Sequence, residues 1–320
     1  MKLFKIRFFE NRKIFFSISL GIMAIGLIFN VIFGTHLDIS FTGGAMIRYS
    51  YTGTLQQDEV ENIVKDTTKK DATVRILENV KSANGAATQN NVSISFGGTD
   101  SISLENQQAI AKALAAKYPS ADFQVVESSS VNPSMGHSFF LKCLMAVFLA
   151  FILLIIYIAI RFKKIGGMTA GAMAIVALIH DVAMVYFTFI IFQIPLNDSF
   201  IAVVLTILGY SLNDTIIIYD RIRENRRLLG PKTPYSVLVN TSINQTFTRS
   251  LYTAGCTFSS IAMVFIVGQF FGLSSVTTFA LPMMVGIVTG CYSSVCIAGP
   301  LYVMWENHKA ALRESAKSKN

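Results

Sequence analysis

Hydrophobic positions in this chain fall into long unbroken blocks rather than periodic faces. Six of them reach the length of about 20 residues that a helix needs to cross a hydrocarbon core about 30 Å thick. The pattern predicts membrane spans over Ile14–Phe33, Phe139–Ile160, Ile165–Ile194, Ser199–Tyr219, Ile243–Phe270 and Val276–Met304. Between the first two spans the pattern changes to that of a soluble domain. Ala45–Tyr51 is rich in β-formers and follows a Gly43-Gly44 turn, and Asp58–Lys70 has helical spacing at Val60, Ile63, Val64 and Thr67. Thr73–Val80 and Asn91–Phe96 alternate like strands, with an Asn84-Gly85 turn signal between them. Leu104–Tyr118 is an alanine-rich helix stopped by Pro119, and Phe123–Val131 closes the segment as a strand. The order β-α-β-β-α-β is that of an α+β ferredoxin-like domain, able to bury one sheet face under two helices. Two roles fit such a domain: a spacer or docking module, or one that touches an emerging unfolded chain by strand addition at an open edge.

Composition agrees with a polytopic membrane protein. The chain has 320 residues, 52% hydrophobic and 14% charged, which is too apolar for an ordinary soluble protein. Its net charge of +8 does not point to nucleic acid, because of where the basic residues stand. Lys2, Lys5, Arg7, Arg12 and Lys13 precede the first span, and Arg161, Lys163 and Lys164 follow the second. Arg221, Arg223, Arg226, Arg227 and Lys232 follow the fourth, and Lys309, Arg313, Lys317 and Lys319 follow the sixth. The short loops Gln193–Asp198 and Gln269–Ser275 carry none. This is the positive-inside distribution, with both termini cytoplasmic. It divides the chain into a cytoplasmic N-terminus (1–13), a first span (14–34) and an extracytoplasmic domain (35–138). Spans two to six (139–304) follow, with a basic cytoplasmic loop at 220–242, and then a basic cytoplasmic tail (305–320). The first span reads as a retained anchor, since no small-x-small cleavage site follows it. Cys143, Cys256, Cys291 and Cys296 all lie in predicted spans and read as small buried hydrophobes.

Chemistry enters with the ionisable residues inside the spans. A charge at the centre of a membrane helix costs roughly 2.5–3.5 kcal/mol, so each is a functional candidate. Asp214 lies about 9 Å below the cytoplasmic edge if that edge falls at Asp220, and Arg249 lies about as deep if its helix starts at Ile243. Equal depth on sequential antiparallel helices would let the two side chains meet. The fifth span carries a polar stripe, Ser242, Gln245, Arg249, Thr253, Cys256 and Ser260, expected to face the bundle interior. It reads either as the lining of a hydrated path or as a hydrogen-bonded seam. His180-Asp181 on the third span stands about 22 Å from the cytoplasmic edge. Asp181 is either a relay carboxylate or a protonated hydrogen-bonding residue, and His180 a satisfied interior side chain. Gly167-x3-Gly171 and Gly286-x3-Gly290 mark close helix approaches, and Pro282 and Pro300 predict bends. An intramembrane protease built on Ser211 and His180 is disfavoured, because the same arithmetic separates them by about 7 Å. No nucleotide-binding or zinc-protease motif is present.

Four stretches together carry a resemblance. Gly209–Asn225, with Ser211, Asn213 and Asp214, and Asn244-Gln245-Thr246-Phe247-Thr248-Arg249-Ser250 are similar to the fourth- and fifth-span motifs of the SecD/SecF family. Ala177–Val182 and Phe41-Thr42-Gly43-Gly44 match it as well, although Ser40 stands where the family usually has Asp, with Asp38 two residues earlier. The resemblance covers essentially the whole chain and is to the SecF half. It implies one six-helix half of a resistance-nodulation-division-like architecture, no cofactor beyond the proton gradient, and a bacterial inner-membrane location. It further implies proton transfer through Asp214, Arg249 and Asp181, supported by His180, Ser211, Asn213, Gln245 and Thr253. The implied partners are SecD, the SecYEG channel, YajC, YidC, the lipid bilayer and translocating preproteins, whose late export would be assisted by the proton-motive force. Two other functions stand beside it: a proton-coupled exporter of small molecules or lipids, and a non-transporting assembly scaffold.

Overall fold

The computed structural model describes residues 6–70, 72–81, 88–97, 104–161, 167–230, 232–271 and 273–317. Helix α1 (Arg12–Phe33) ends at Gly34, whose positive φ of 70° lets its N–H reach Asn30 O. A short helix α2 (Ile39–Thr42), absent from the hydropathy pattern, is started by Asp38, which accepts hydrogen bonds from Ser40 N (3.0 Å) and Ser40 Oγ (2.7 Å). Ser40 thus acts through Asp38, the acid two residues before it.

The segment between the first two long helices then runs β1 (Gly44–Tyr51), α3 (Gln57–Thr68), β2 (Ala72–Lys81), β3 (Thr88–Gly97), α4 (Leu104–Lys117) and β4 (Gln124–Val131). The strands form one sheet of order β2-β3-β1-β4, antiparallel throughout, with Ile94 paired to both Ile47 and Val74. That is the expected ferredoxin-like arrangement. Its core sets Ala45, Ile47, Tyr49 and Tyr51 and the β3 residues Val92, Ile94 and Phe96 against Val60 and Val64 of α3 and Ile110 and Leu114 of α4. Gly44, at φ 134°, is needed twice: for its backbone angle, and because a Cβ there would stand 2.1 Å from Phe96 O. The Asn84-Gly85 turn signal lies outside the described residues.

Among the described residues six helices are long and apolar enough to cross a membrane. They are α1, α5 (Pro133–Arg161), α6 (Gly167–Ile191), α7 (Asp198–Leu228), α8 (Tyr235–Phe270) and the continuous rod formed by α9 (Ser274–Ser293) and α10 (Gly299–Lys317). Three are inner helices: 61%, 56% and 67% of the apolar windows of α6, α7 and α9–α10 are buried. Windows of α1, α5 and α8 are only 11%, 6% and 6% buried, so these helices form the outer layer. Pro300 has no N–H to give to Cys296 O, and the chain widens into a π-helical turn at Ser294–Ala298 just before it.

The charged segment after Tyr219 continues the fourth helix to Leu228, as its sequence suggests, whereas the fifth helix begins at Tyr235, well before the expected Ile243. Both extensions are held by polar contacts that hydropathy does not register. Asn225 donates to Ser242 Oγ (2.8 Å) and Gln245 Oε1 (2.7 Å), and Arg221 Nε also donates to Gln245 Oε1 (2.6 Å).

The soluble domain is tied to the membrane helices. Asp38 N donates to Leu196 O and Leu196 N to His36 O, both at 2.9 Å, pairing the exit of α1 with the α6–α7 loop. Arg75 on β2 donates to the carbonyl of Gln193 in the same loop. Burial lowers the Arg75 pKa, partly offset by nearby Asp38.

Candidate functional site

Close packing of small residues brings the polar side chains together. On α9, a Cβ at Gly286 would stand 2.6 Å from Ile207 Cγ1, and one at Gly290 would stand 3.1 Å from Ser211 Cβ. The expected close approach of Gly286-x3-Gly290 is therefore made, against α7. It lets Ser211 reach across to α6, where its hydroxyl donates to Asp181 Oδ2 (2.6 Å). Ser293 on α9 donates to the same oxygen (2.7 Å), and His180 Nδ1 lies 3.1 Å from Asp181 Oδ1. Asp181 has no exposed surface, so a carboxylate there depends entirely on these partners.

A second cluster lies one turn further along α7. Asp214 Oδ1 accepts from Ser250 Oγ of α8 (2.8 Å), while Asp214 Oδ2 is buried without a hydrogen-bond partner. Ser211 and Asp214 are separated by about 4.5 Å of helix rise, so the two carboxylates occupy neighbouring levels of one interior seam. Between them Thr215 and Ser294 share a hydrogen bond (2.8 Å), and Ser294 Oγ also reaches Ser211 O (3.2 Å) and Gly290 O (2.9 Å). These hydroxyls tie α7 to α9 through the backbone carbonyls of Ser211 and Gly290, and among the described residues no hydrogen bond joins the Asp181 cluster to Asp214.

The expected residues divide sharply. Asp214, Asp181, His180 and Ser211 converge in the interior, whereas Asn213, Gln245, Arg249 and Thr253 lie on the outer surface of the chain. The predicted meeting of Asp214 and Arg249 is not an ion pair, and Ser250 takes the place beside the carboxylate. Arg249 does remain within electrostatic reach of Asp214. The stripe on α8 accordingly needs correction. Ser242 is buried, and Gln245 and Arg249 are exposed but lie beside α7, where Gln245 Oε1 accepts from Asn225 and Arg221, while Thr253, Cys256 and Ser260 are exposed further along the helix. The buried polar face of α8 is instead Ser242, Thr246 and Ser250. Thr253 donates only to its own helix, at Arg249 O (2.9 Å).

His180 and Ser211 flank opposite oxygens of one carboxylate, Oδ1 and Oδ2 of Asp181. His180 touches Asp181 and not Ser211, so the nucleophile–base contact of a protease is not formed. Ser250, Ser293, Ser294 and Thr215 were not singled out from sequence. Single hydroxyl residues in apolar helices carry no periodic signal, although the Ser293-Ser294 pair follows Gly290 by three and four positions.

Six apolar helices, a ferredoxin-like domain after the first, and two carboxylates buried between inner helices define a multi-pass membrane transport protein. The family model described as protein export membrane protein SecD/SecF, C-terminal, matches residues 110–308. The protein translocase subunit SecF of Sebaldella termitidis is 30% identical over 98% of this chain and 96% of its own length. SecDF of Bacillus subtilis is 33% identical over 94% of this chain, which spans only 38% of that protein. The crystal structure of SecDF from Thermus thermophilus, a translocon-associated membrane protein, aligns with a TM-score of 0.78 at 28% identity. It covers 94% of this chain and 38% of the crystallised one. The chain belongs to the SecD/SecF family of protein-export membrane proteins.

Proposed function

We propose that this chain is the SecF-type half of a proton-driven translocase and that Asp214 is its proton-binding group. Family membership supplies the class of activity: a translocase subunit that assists Sec-dependent protein export and is not an enzyme. Relatives in which SecD and SecF are fused imply association with SecD. The exposed stripe Thr253, Cys256 and Ser260 supports the same partner, because polar side chains on a membrane helix are costly against lipid. Both termini would lie in the cytoplasm of a bacterium, with 35–138 outside. SecYEG, YajC, YidC and the preprotein are further contacts under this reading.

The observation that carries the proposal is the carboxylate of Asp214, buried on α7 with one oxygen bound by Ser250 of α8 and the Cys291 thiol of α9 beside it. Ionised, it is held by the Ser250 hydroxyl and attracted by Arg249. Protonated, it loses the attraction of Arg249 and weakens its hold on α8. Asp181, with Ser211 and Ser293, is a second buried carboxylate site on the inner helices, one turn away along α7. A shift of α6 or α7 would be carried outward by the pairing of Leu196 with His36 and Asp38 and by the bond from Arg75 to Gln193. Each charge moved through 100 mV supplies about 2.3 kcal/mol, so a few protons per cycle would bias such a motion.

The test is preprotein export in cells whose sole copy carries Asp214→Asn, with SecD association measured in parallel. Accumulated precursor with an intact complex is the expected result. Normal export at normal expression would leave Asp214 as a packing residue and favour the scaffold reading.

A further inference from the structure

At the cytoplasmic ends of α7 and α8 the structure has an open cavity of about 660 Å³. Four arginines line it, Arg221, Arg223 and Arg227 from α7 and Arg249 from α8, against two acids, Asp220 and Glu224. Four positive charges less two negative leave a surplus of +2. The acids are already engaged. Glu224 accepts from Arg221 (2.6 Å), and Asp220 takes Arg161 (2.5 Å) and Arg223 (3.4 Å). The guanidinium groups of Arg227 and Arg249 have no hydrogen-bond or ion-pair partner among the described residues. They stand on two different helices, Arg227 at the charged end and Arg249 at the inner end, where it is also within electrostatic reach of Asp214. Planar guanidinium groups placed around a hollow match the oxygens of a phosphate better than a point charge would.

The level of the cavity selects the source of the phosphate. Its lining begins at Ile217, inside the apolar run, and ends at Leu228, in the charged extension of α7. That is where the hydrocarbon of a bilayer gives way to its headgroups. Exposed apolar side chains flank the charged end, with Leu228 71% and Leu229 49% exposed. A soluble anion has no use for them, whereas they lie naturally against acyl chains. α8, the second wall, is an outer helix that lipid can approach. We infer that this cavity binds the phosphate of an anionic phospholipid of the cytoplasmic leaflet, held chiefly by Arg223, Arg227 and Arg249. The inference rests on the membrane orientation proposed above but not on proton coupling.

Native mass spectrometry of the purified full chain, released from micelles doped with equal phosphatidylglycerol and phosphatidylcholine, tests it without reference to export. Preferential retention of phosphatidylglycerol is expected, falling about five-fold for Arg223→Gln and again for Arg227→Gln. Arg7→Gln, which removes an exposed charge outside the cavity, should leave retention unchanged, and unaltered thermal unfolding would show that the variants fold. Equal retention of both lipids, or retention indifferent to Arg223 and Arg227, would overturn the assignment. Complete displacement of the lipid by millimolar inorganic phosphate would reassign the cavity to a soluble anion. Loss of the lipid whenever SecD is co-purified would reassign it to the subunit interface.

Discussion

Gly286 provides the sharpest test of the helix packing on which the interior site depends. It is buried on α9, facing Ile207 of α7 and Val185 of α6, both fully buried. In Gly286→Ala the new Cβ would lie 2.6 Å from Ile207 Cγ1, 2.7 Å from Ile207 Cδ1 and 3.2 Å from Val185 Cγ2. Carbon atoms prefer separations of about 3.5–4.0 Å, so Ile207 must retreat by roughly 1 Å into a filled core. Overpacking of this kind costs about 1–3 kcal/mol. The substitution also brings a helix-propensity gain of about 1 kcal/mol, which must be subtracted out. Gly209→Ala supplies that reference. Gly209 lies on α7, is exposed, and has nothing within 4 Å of a new Cβ. Both variants gain the propensity term, and only Gly286→Ala carries the clash. Their difference in unfolding free energy, measured by denaturant titration of the isolated chain in mixed micelles, should be about 1–3 kcal/mol in favour of Gly209→Ala. Equal stabilities would mean that α7 and α9 are not in contact at Gly286, and the approach of Ser211 to Asp181 would lose its basis.

Two further outcomes follow from polar contacts. Asn244 clasps the N-terminal segment through Ile6 N→Oδ1 (2.9 Å) and Nδ2→Ile6 O (2.8 Å). Two hydrogen bonds at about 1 kcal/mol each predict that Asn244→Ala raises amide hydrogen exchange at Ile6–Phe9 about ten-fold or more, and unchanged exchange would contradict the clasp. In the soluble domain, burial pushes the Tyr49 phenol up to about 12, and its hydroxyl donates to Gln107 O (2.9 Å). A pKa raised by folding stabilises the protonated form, so the contribution is complete below about pH 10 and is lost as pH rises through about 12. Tyr49→Phe should therefore blunt the alkaline loss of protection against exchange in the sheet. An identical pH profile in both proteins would refute it.

The soluble domain was legible almost element by element, because alternation and helical spacing report a half-buried sheet and two amphipathic helices directly. Six spans were equally legible, since nothing in lipid competes with continuous apolar length. Azimuth was not. Arg249 and Ser250 are adjacent on α8, yet one faces outward and the other binds Asp214. Two i, i+4 stripes run side by side there, Gln245–Arg249–Thr253 and Ser242–Thr246–Ser250, and the larger side chains suggested the outer one. Depth arithmetic fixes how far along its helix a residue sits, not which way it points. The start of α8 was not legible for a related reason: the polar contacts of Asn225 and Gln245 extend α7 and α8 past the end of the apolar run.

The central claim is that Asp214 carries the proton that assists export. Its most direct test is a protonophore titration of late preprotein release in membrane vesicles, comparing the native chain with Asp214→Asn at equal SecD content. The account predicts that collapsing the proton gradient slows release by the native chain to the rate of the variant and leaves the variant unaffected. A variant that releases preprotein at the native rate and slows as much as the native chain would contradict it.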